Sequence, residues 1–366
     1  QDSIVTNDSG TITWGSGNID VDPMFVDTAN GNYHLLASSQ CINAGHPDST
    51  DSDGTIADMG AYPFLNSYSG PTWYVSATAG NDTTATGASG APFRSIQSGI
   101  NFSSNADSVT VAAGTYVENI NFRGRNIKVV GENRETTIID GDQNGQHVVY
   151  ILNGGGALSG FTIQNGHVQG VQGDAYSRRG GGIYIQAASP TLTNLKMINN
   201  TASDGGGAIY TLYCNSLMSD IIIDGNSADG WNGGGIYSAS SDISLSNSVI
   251  SNNEASNSGG GIMIGGCDAT FNNVIIANNT AVDHGGGLAF DGGSPTLINV
   301  TISGNYAADE GGGAIEFYGN AQSDAAIVNS ILWGNSPQEI YLSNNQTTPS
   351  SVSIEYTNIQ NGQDSI

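Results

Sequence analysis

The sequence predicts an all-β solenoid: a right-handed single-stranded parallel β-helix with about 26 residues per coil. Three observations predict it. A Gly-Gly-Gly triplet begins at Gly180, Gly205, Gly233, Gly259, Gly285 and Gly311, at intervals of 25, 28, 26, 26 and 26 residues. An Asn-x-Ala echo keeps the same beat at Asn200/Ala202, Asn226/Ala228, Asn253/Ala255, Asn279/Ala281 and Asn305/Ala307. After each triplet, apolar and polar residues alternate as a half-buried strand requires. A unit of this length cannot bury its apolar face alone, so neighbours must stack. The 52 glycines, with many Asn, Ser and Thr, favour turns and short strands over helices.

Residues 1–64 come first in the chain but read as an ending. Asp20-Val-Asp-Pro-Met-Phe25, Tyr33-His-Leu-Leu36, Cys41-Ile-Asn-Ala-Gly45 and Asp58-Met-Gly-Ala-Tyr62 are short apolar pieces divided by turn residues. They resemble the closing segment at the C-terminal end of many secreted right-handed β-helix proteins. The expectation is that they cap a neighbouring copy or pack on the C-terminal coils. A Ser/Gly/Pro linker spans 65–72, and the β-helix proper spans 73–366, with regular triplet coils over 180–335. Phe93, Ile96, Gln97 and Ile100 recur at helical spacing, so a short capping helix is expected near 93–103, over the open N-terminal end. Asp107-Ser-Val-Thr-Val111 and Ala113-Gly-Thr-Tyr-Val-Glu-Asn119 read as the first turn, and Thr137-Ile-Ile-Asp-Gly141 as part of the next. Together these segments resemble the pectate-lyase-like β-helix superfamily, a likeness that implies fold and says little about activity.

Both ends read Gln-Asp-Ser-Ile, at 1–4 and at 363–366. Joined, they run from Tyr356-Thr-Asn-Ile-Gln-Asn-Gly362 into the closing segment. The expectation is one 362-residue period of a longer tandem array, with strand donation between separate subunits as the alternative.

Within a coil, Ile183/Ile185, Ile209/Thr211, Ile236/Ser238, Ile262/Ile264, Leu288/Phe290 and Ile315/Phe317 share one phase and are expected inward. Tyr184, Tyr210, Tyr237, Met263, Ala289 and Glu316 take the opposite phase. A second strand, such as Thr191-Leu-Thr-Asn-Leu195, and a third short one, such as Met197-Ile198, complete the coil. The triplet glycines serve sharp corners that a Cβ would forbid. The echo asparagines (Asn200, Asn226, Asn253, Asn279, Asn305) can take left-handed geometry and pair between rungs as an amide ladder. No Lys-Ser/Thr follows any triplet, which excludes a phosphate cradle.

Charge excludes partners more than it identifies them. Thirty-three acids against eight bases give a net charge of −25. All eight bases (Arg94, Arg123, Arg125, Lys128, Arg134, Arg178, Arg179, Lys196) lie between residues 94 and 196. No basic stripe is left to track a phosphate backbone or an anionic membrane, so neither nucleic acid nor membrane insertion is expected. Cys41, Cys214 and Cys267 are read as buried free thiols, because Cys214 and Cys267 stand two rungs, roughly 10 Å, apart.

Catalysis is not expected. Lyases of the resembling superfamily use carboxylates for Ca²⁺ and a basic residue near the sugar's acidic carbon, yet no Lys or Arg follows residue 196. The acids beside the triplets (Asp204, Asp283, Asp309, Glu310) read as a turn ridge and His284 as a surface residue. Asp48, Asp51, Asp53 and Asp58 surround a Gly turn and form the one candidate structural Ca²⁺ site; no other cofactor is implied. Tyr184, Tyr210 and Tyr237 form an outward aromatic strip for stacking on sugars or on protein. The expected function is mechanical: a repeat unit of an extracellular filament or cell-surface fibre, joined head to tail with further copies of itself. The alternative is an adhesin or carbohydrate-binding stalk, since the coils resemble the Gly-Gly-Ala/Ile repeats of polymorphic outer-membrane autotransporters. A polysaccharide lyase or hydrolase stands third.

Overall fold

The computed structural model describes residues 15–170, 178–309, 311–319, 322–343 and 349–362. It is a parallel β-solenoid of about nine coils with about 26 residues per turn. Its strands fall into three long sheets, here A, B and C, plus one antiparallel pair, Phe25–Asp27 with Asn32–Leu35.

Sheet B holds nine strands, from Ile120–Asn121 to Gln338–Leu342, and includes the strand after each triplet. Its register is residue for residue: Ile183 opposes Ile209, then Ile236, Ile262, Leu288 and Ile315. These residues and Ile185, Ile264, Phe290 and Phe317 are fully buried in one continuous core, as their alternation predicts. The two inward hydroxyls are satisfied within it: Thr211 donates to Ser238 at 3.0 Å, and Ser238 donates to the Ser241 carbonyl at 2.9 Å.

Sheet A holds 16 strands. In four coils the expected second and third strands are halves of a single eight-residue strand: Thr191–Ile198, Leu217–Asp224, Ser244–Ser251 and Thr270–Ala277. A left-handed residue bends each at the fourth position, with φ of 51° at Asn194, 53° at Asp220, 50° at Asn247 and 57° at Asn273. Asn and Asp tolerate that region because their short side chains bond locally. The third side, sheet C, is built from the Asn-x-Ala echo, as Thr201–Ala202, Ser227–Ala228, Glu254–Ala255, Thr280–Ala281 and Tyr306–Ala307. Its alanines are inward and fully buried, in register with the buried Val168 of the first strand, His167–Val168.

The capping helix, α1, spans Ile96–Phe102, with Ser95 as N-cap. Phe93 lies outside it, bridging to Val75. The closing segment packs on α1 at the N-terminal end of its own chain. Leu35, Ala37, Cys41 and Ile42 join the core there, and Phe64 meets Phe102 with ring centroids 5.4 Å apart. Within its own chain the segment therefore seats at the N-terminal end and not on the C-terminal coils. The reason is polar: buried Asn101 donates to the carbonyls of Ala37 (2.9 Å) and Ser39 (2.8 Å), and Arg123 donates to Ile42 (2.7 Å). Arg125 donates to the last carbonyls of α1, at Ile100 and Asn101, where a cation complements the helix dipole.

Candidate functional site: corners, aromatic layer and the two ends

The corner chemistry divides over three neighbouring positions. The left-handed glycines are Gly180, Gly206, Gly233, Gly259 and Gly285, with φ between 57° and 69°. Gly205 is therefore not the corner residue: the register sets Gly205 against Arg179 and Asn232, and Gly206 turns the chain. Gly311 is also out of step: Leu288 pairs with Ile315, so Gly312 stands opposite Gly285 in register, although it is not left-handed. The middle glycine has no room at all, since a Cβ on Gly260 would overlap the carbonyl oxygens of Thr280 and Gly286. The third glycine makes space for the amides: a Cβ on Gly261 would stand 3.1 Å from the Asn279 Nδ2.

Those amides form a buried ladder. Asn200, Asn226, Asn253, Asn279 and Asn305 are at most 1% exposed. Asn200 accepts the Gly166 N–H on Oδ1, and each later asparagine accepts, on Oδ1, both the backbone N–H and the side-chain Nδ2 of the asparagine one coil before it. For Asn253 accepting from Asn226 both distances are 3.0 Å. The left-handed residue is the one before each ladder asparagine (Asn199, Gly225, Asn252, Asn278, Gly304), so the two tasks expected of one asparagine are split between neighbours. The ladder runs one rung further than the echo shows, because Asn305 donates to Asn335 at 2.8 Å. It ends on Glu339, whose carboxylate accepts the Asn335 Nδ2 at 2.6 Å. Glu339 directly precedes Ile340, the partner of Ile315, and so stands where other coils carry glycine or alanine beside the ladder. Burial pushes its carboxyl up, while the Asn335 bonds pull the other way.

The tyrosine strip is placed otherwise than expected. Tyr184 and Tyr210 do take the outer phase of sheet B, yet they are 1% and 0% exposed. His147, Tyr150, Tyr184, Tyr210 and Tyr237 stack along the coils with successive ring centroids between 5.3 and 5.6 Å. Arg179 lies over the Tyr210 and Tyr237 rings, donates to the Tyr210 hydroxyl at 2.7 Å, and sits beside Asp204. The strip is a second, outer core. Sequence phase gives the face of a sheet, but not what else folds across it.

Two of the expected ridge acids have structural work. Asp204 is 3.2 Å from Arg178, and Asp283 accepts from Asn257 at 2.7 Å. Asp309 is exposed, and Glu310 lies outside the described residues. Glu316 is 1% exposed; its Oε2 accepts the backbone N–H groups of Gly285 (3.0 Å) and Gly312 (3.1 Å), and its Oε1 meets His284 Nδ1 at 2.7 Å. In neighbouring coils the equivalent glycine N–H finds a backbone carbonyl, as Gly259 does at His284. The one-residue register shift before Ile315 displaces that acceptor, and Glu316 supplies another. His284 stacks on Tyr318 at 4.4 Å, and its bond to Glu316 raises its pKa.

The four acids of the metal reading do not converge. Asp58 accepts the N–H groups of Asn43 and Phe64, Asp53 those of Thr55 and Asn66, and Asp51 that of Asp58. Asp48 is exposed beside His46. Among the described residues no three His, Cys, Asp or Glu are grouped to hold a metal ion. Carboxylates that organise a turn through backbone N–H groups have the same spacing in sequence as cation ligands, which is why the pattern misleads. The three cysteines are buried and unpaired, and burial pushes the Cys214 and Cys267 thiols up. Of the Asn-x-Ser/Thr sequons (Asn7, Asn81, Asn101, Asn199, Asn278, Asn299, Asn345), whose number is about that of chance, Asn101 is fully buried; Asn7 and Asn345 lie outside the described residues.

The two ends of the solenoid differ. At the N-terminal end the first strand of sheet A, Thr72–Val75, is covered by a returning loop: Tyr74 donates to Gly87, and Ser76 to Phe93, both at 2.8 Å. The first strand of sheet B is closed by a side chain, Gln97 accepting from the Asn121 N–H at 2.7 Å and donating back to its carbonyl at 3.3 Å. At the C-terminal end sheet A finishes with Ser351–Glu355 and Asn358–Ile359. Ser351, Asn358 and Gln360 donate back to the coil before. Alternation along a strand then leaves the backbone groups of Val352, Ile354 and Ile359 facing away. Among the described residues nothing pairs with that edge.

Residues 78–123 match a family model described as a protein of unknown function, DUF1565. Residues 194–212 and 220–239 match the Chlamydia polymorphic membrane protein repeat. No curated protein matches the sequence. Two crystal structures of a GH136 lacto-N-biosidase from Eubacterium ramulus match at 10% and 11% identity, with TM-scores of 0.30 and 0.33; the matches cover 79% of this chain and 67% and 68% of the other. The Azotobacter vinelandii mannuronan C-5 epimerase AlgE6 A-module follows at 15% identity and TM-score 0.22, over 69% of this chain and 91% of that one. The chain is a parallel β-helix repeat protein whose coils are similar to the polymorphic membrane protein repeats of Chlamydia.

Proposed function

We propose that this chain is a structural unit of an extracellular surface fibre, joined head to tail with further copies of itself. The observation that carries the reading is the inequality of the ends. One end of the solenoid is closed by α1, the residue 77–93 loop and the closing segment; at the other, no strand among the described residues pairs beyond Ser351–Glu355 and Asn358–Ile359. Unpaired edges are templates for another chain, and proteins that do not use them cover them. A contact between two different ends of one molecule does not close on itself, so it propagates. Likeness to the Chlamydia repeats supports a surface or adhesin-like setting. No helix among the described residues is long and apolar enough to cross a membrane. An adhesive stalk is the second reading and draws on the same likeness. Burial of Tyr184 and Tyr210 removes its proposed sugar platform, so ligand contact would fall to exposed aromatics such as Trp231 and Trp333. For catalysis, the buried Glu316 is committed to two backbone N–H groups and to His284, and Asp204 to two arginines. Negative-stain micrographs of the purified chain test the proposal: lengthening rods support the fibre, and rods of one length support the stalk.

A further inference from the structure

We propose that Asn144 is a self-modifying site: the Gly145 nitrogen closes on its side-chain amide, ammonia leaves, and water opens the ring to aspartate or isoaspartate. Nothing in this reaction depends on head-to-tail joining.

Asn-Gly occurs six times, at Asn30, Asn144, Asn153, Asn165, Asn232 and Asn361. A glycine after asparagine leaves the backbone nitrogen unshielded by a Cβ, so its approach to the side-chain carbon is sterically open. The reaction also needs that nitrogen free of a hydrogen bond and the turn able to move. Most of the six fail. The Gly166 N–H donates to Asn200 Oδ1 at 2.9 Å, and the Asn165 amide is held by both Asp140 oxygens at 3.0 Å. Asn232 is 6% exposed, and the Gly233 N–H donates to Ser258 at 2.8 Å. The Gly31 N–H donates to Thr28 at 3.2 Å, and Asp27 accepts the Asn30 amide at 2.6 Å. Gly154 packs on the Gly124 backbone, which a Cβ would approach to 2.8 Å. Asn361 adjoins residues outside the described ones.

Asn144 meets each requirement. It and Gly145 are exposed, in the turn from Gly141 to Gln146. Among the described residues no hydrogen bond holds the Gly145 N–H, and nothing stands within 4 Å of where its Cβ would be. The Asn144 Oδ1 accepts the Gln146 N–H at 3.1 Å, which folds the side chain over the next peptide and keeps its carbon beside the Gly145 nitrogen. That bond also draws electrons from the carbon under attack. The N–Cγ bond forms as the Gly145 proton passes to water; the Cγ–Nδ2 bond breaks and ammonia leaves. Water then adds to either carbonyl of the five-membered imide, so neither oxidant nor reductant is needed. The product changes its surroundings. Asn144 donates through Nδ2 to the Asn119 Oδ1, and Asn119 is pinned by its own Nδ2 on the His147 carbonyl at 2.8 Å. A carboxylate at 144 sets acceptor against acceptor, in a cleft also lined by Asp22 and Glu118, so the turn releases from Asn119.

Peptide mass mapping of the native chain through a long incubation in mildly alkaline buffer tests the site. The Asn144 peptide should be the first to gain the mass of amide-to-acid conversion, as an aspartate and an isoaspartate product that separate by chromatography. The Asn165 and Asn232 peptides should lag about tenfold or more, because their turns must open before they react. A urea-unfolded sample, in which all six pairs are free, sets the scale. Asn144 left intact in the native chain while it converts in the unfolded one would overturn the proposal, as would equal native rates at all six. Asn144→Gln should abolish the early product; a product that persists would place the reaction elsewhere and overturn it too. The release of the turn has its own readout. Asn144→Asp should speed amide exchange at Gln143, whose bond to the Asn165 carbonyl at 2.9 Å ties the turn to the next coil, about tenfold. Unchanged exchange there would overturn the release and leave the modification standing.

Discussion

Replacing Asn253 by alanine should remove more stability than any exposed substitution in the same coil. The Asn253 Oδ1 accepts the Asn226 backbone N–H and its Nδ2 at 3.0 Å each, and the Asn253 Nδ2 donates to Ile223 (3.1 Å) and Asn279 (2.9 Å). Truncation leaves the Asn226 N–H with no acceptor and one of its amide hydrogens unpaired, both where exposure is 1%. At about 1–3 kcal/mol for each buried unsatisfied donor the loss is about 4 kcal/mol. Asn252→Ala is the matched control. It changes the adjacent left-handed residue, whose side chain donates to Asp224 near the surface, and should cost about 1–2 kcal/mol. Urea unfolding and amide exchange read the difference. Because coils stack as near-neighbour units, exchange should rise first at Asn226 and the coil around it. A loss below about 1 kcal/mol for Asn253→Ala, or one no larger than that of Asn252→Ala, would refute the ladder's energetic role.

Three further outcomes follow from the geometry. Gly260→Ala should unfold or misfold the central coils, as its methyl overlaps two backbone carbonyls, whereas Gly261→Ala, with its closest approach 2.7 Å from the Gly287 carbonyl oxygen, should be milder, since Ala208 and Ala314 fill that position elsewhere; melting curves rank the two. His284 titrates above its ordinary 6.5 because of its bond to Glu316, so the stability it contributes is complete below about pH 6.5 and is lost as pH rises through its folded pKa; Glu316→Gln should lower that pKa in an NMR titration, and an unchanged value would disprove the pairing. Burial pushes Glu118, which accepts the Ile96 and Gln97 N–H groups at the start of α1, from 4.5 up to about 7. A raised carboxyl favours the protonated folded state, so the α1 cap should weaken as pH rises from about 4.5 to 7 and change little above it; exchange at α1 amides reads this, and Glu118→Gln should flatten the profile.

Much of the fold was legible because a solenoid repeats its constraints. Ile183, Ile209, Ile236, Ile262, Leu288 and Ile315 declare their inward phase six times, and the structure buries every one. Legibility failed wherever one residue broke the period. Gly205 and Gly311 look like corners because the eye aligns triplets, but pairing follows Ile209 and Ile315, one residue out of step. Glu339 ends the ladder from a position readable only after Ile340 is set against Ile315. Asn335 escaped notice because Pro337 stands where the echo has alanine. The tyrosines showed their face but not their cover, since Arg179 reaches Tyr210 and Tyr237 from another coil. The seat of residues 35–42 on α1 depends on Asn101 and Arg123, residues far from them in sequence.

Sedimentation velocity of the native chain from about 1 to 500 μM tests head-to-tail joining most directly. Association through unlike ends should give a distribution that broadens and shifts to larger species with concentration, with no stoichiometry at which it stops, and frictional ratios that rise with size as rods lengthen. A single monomeric boundary over the whole range, or a closed dimer at saturation, would contradict it.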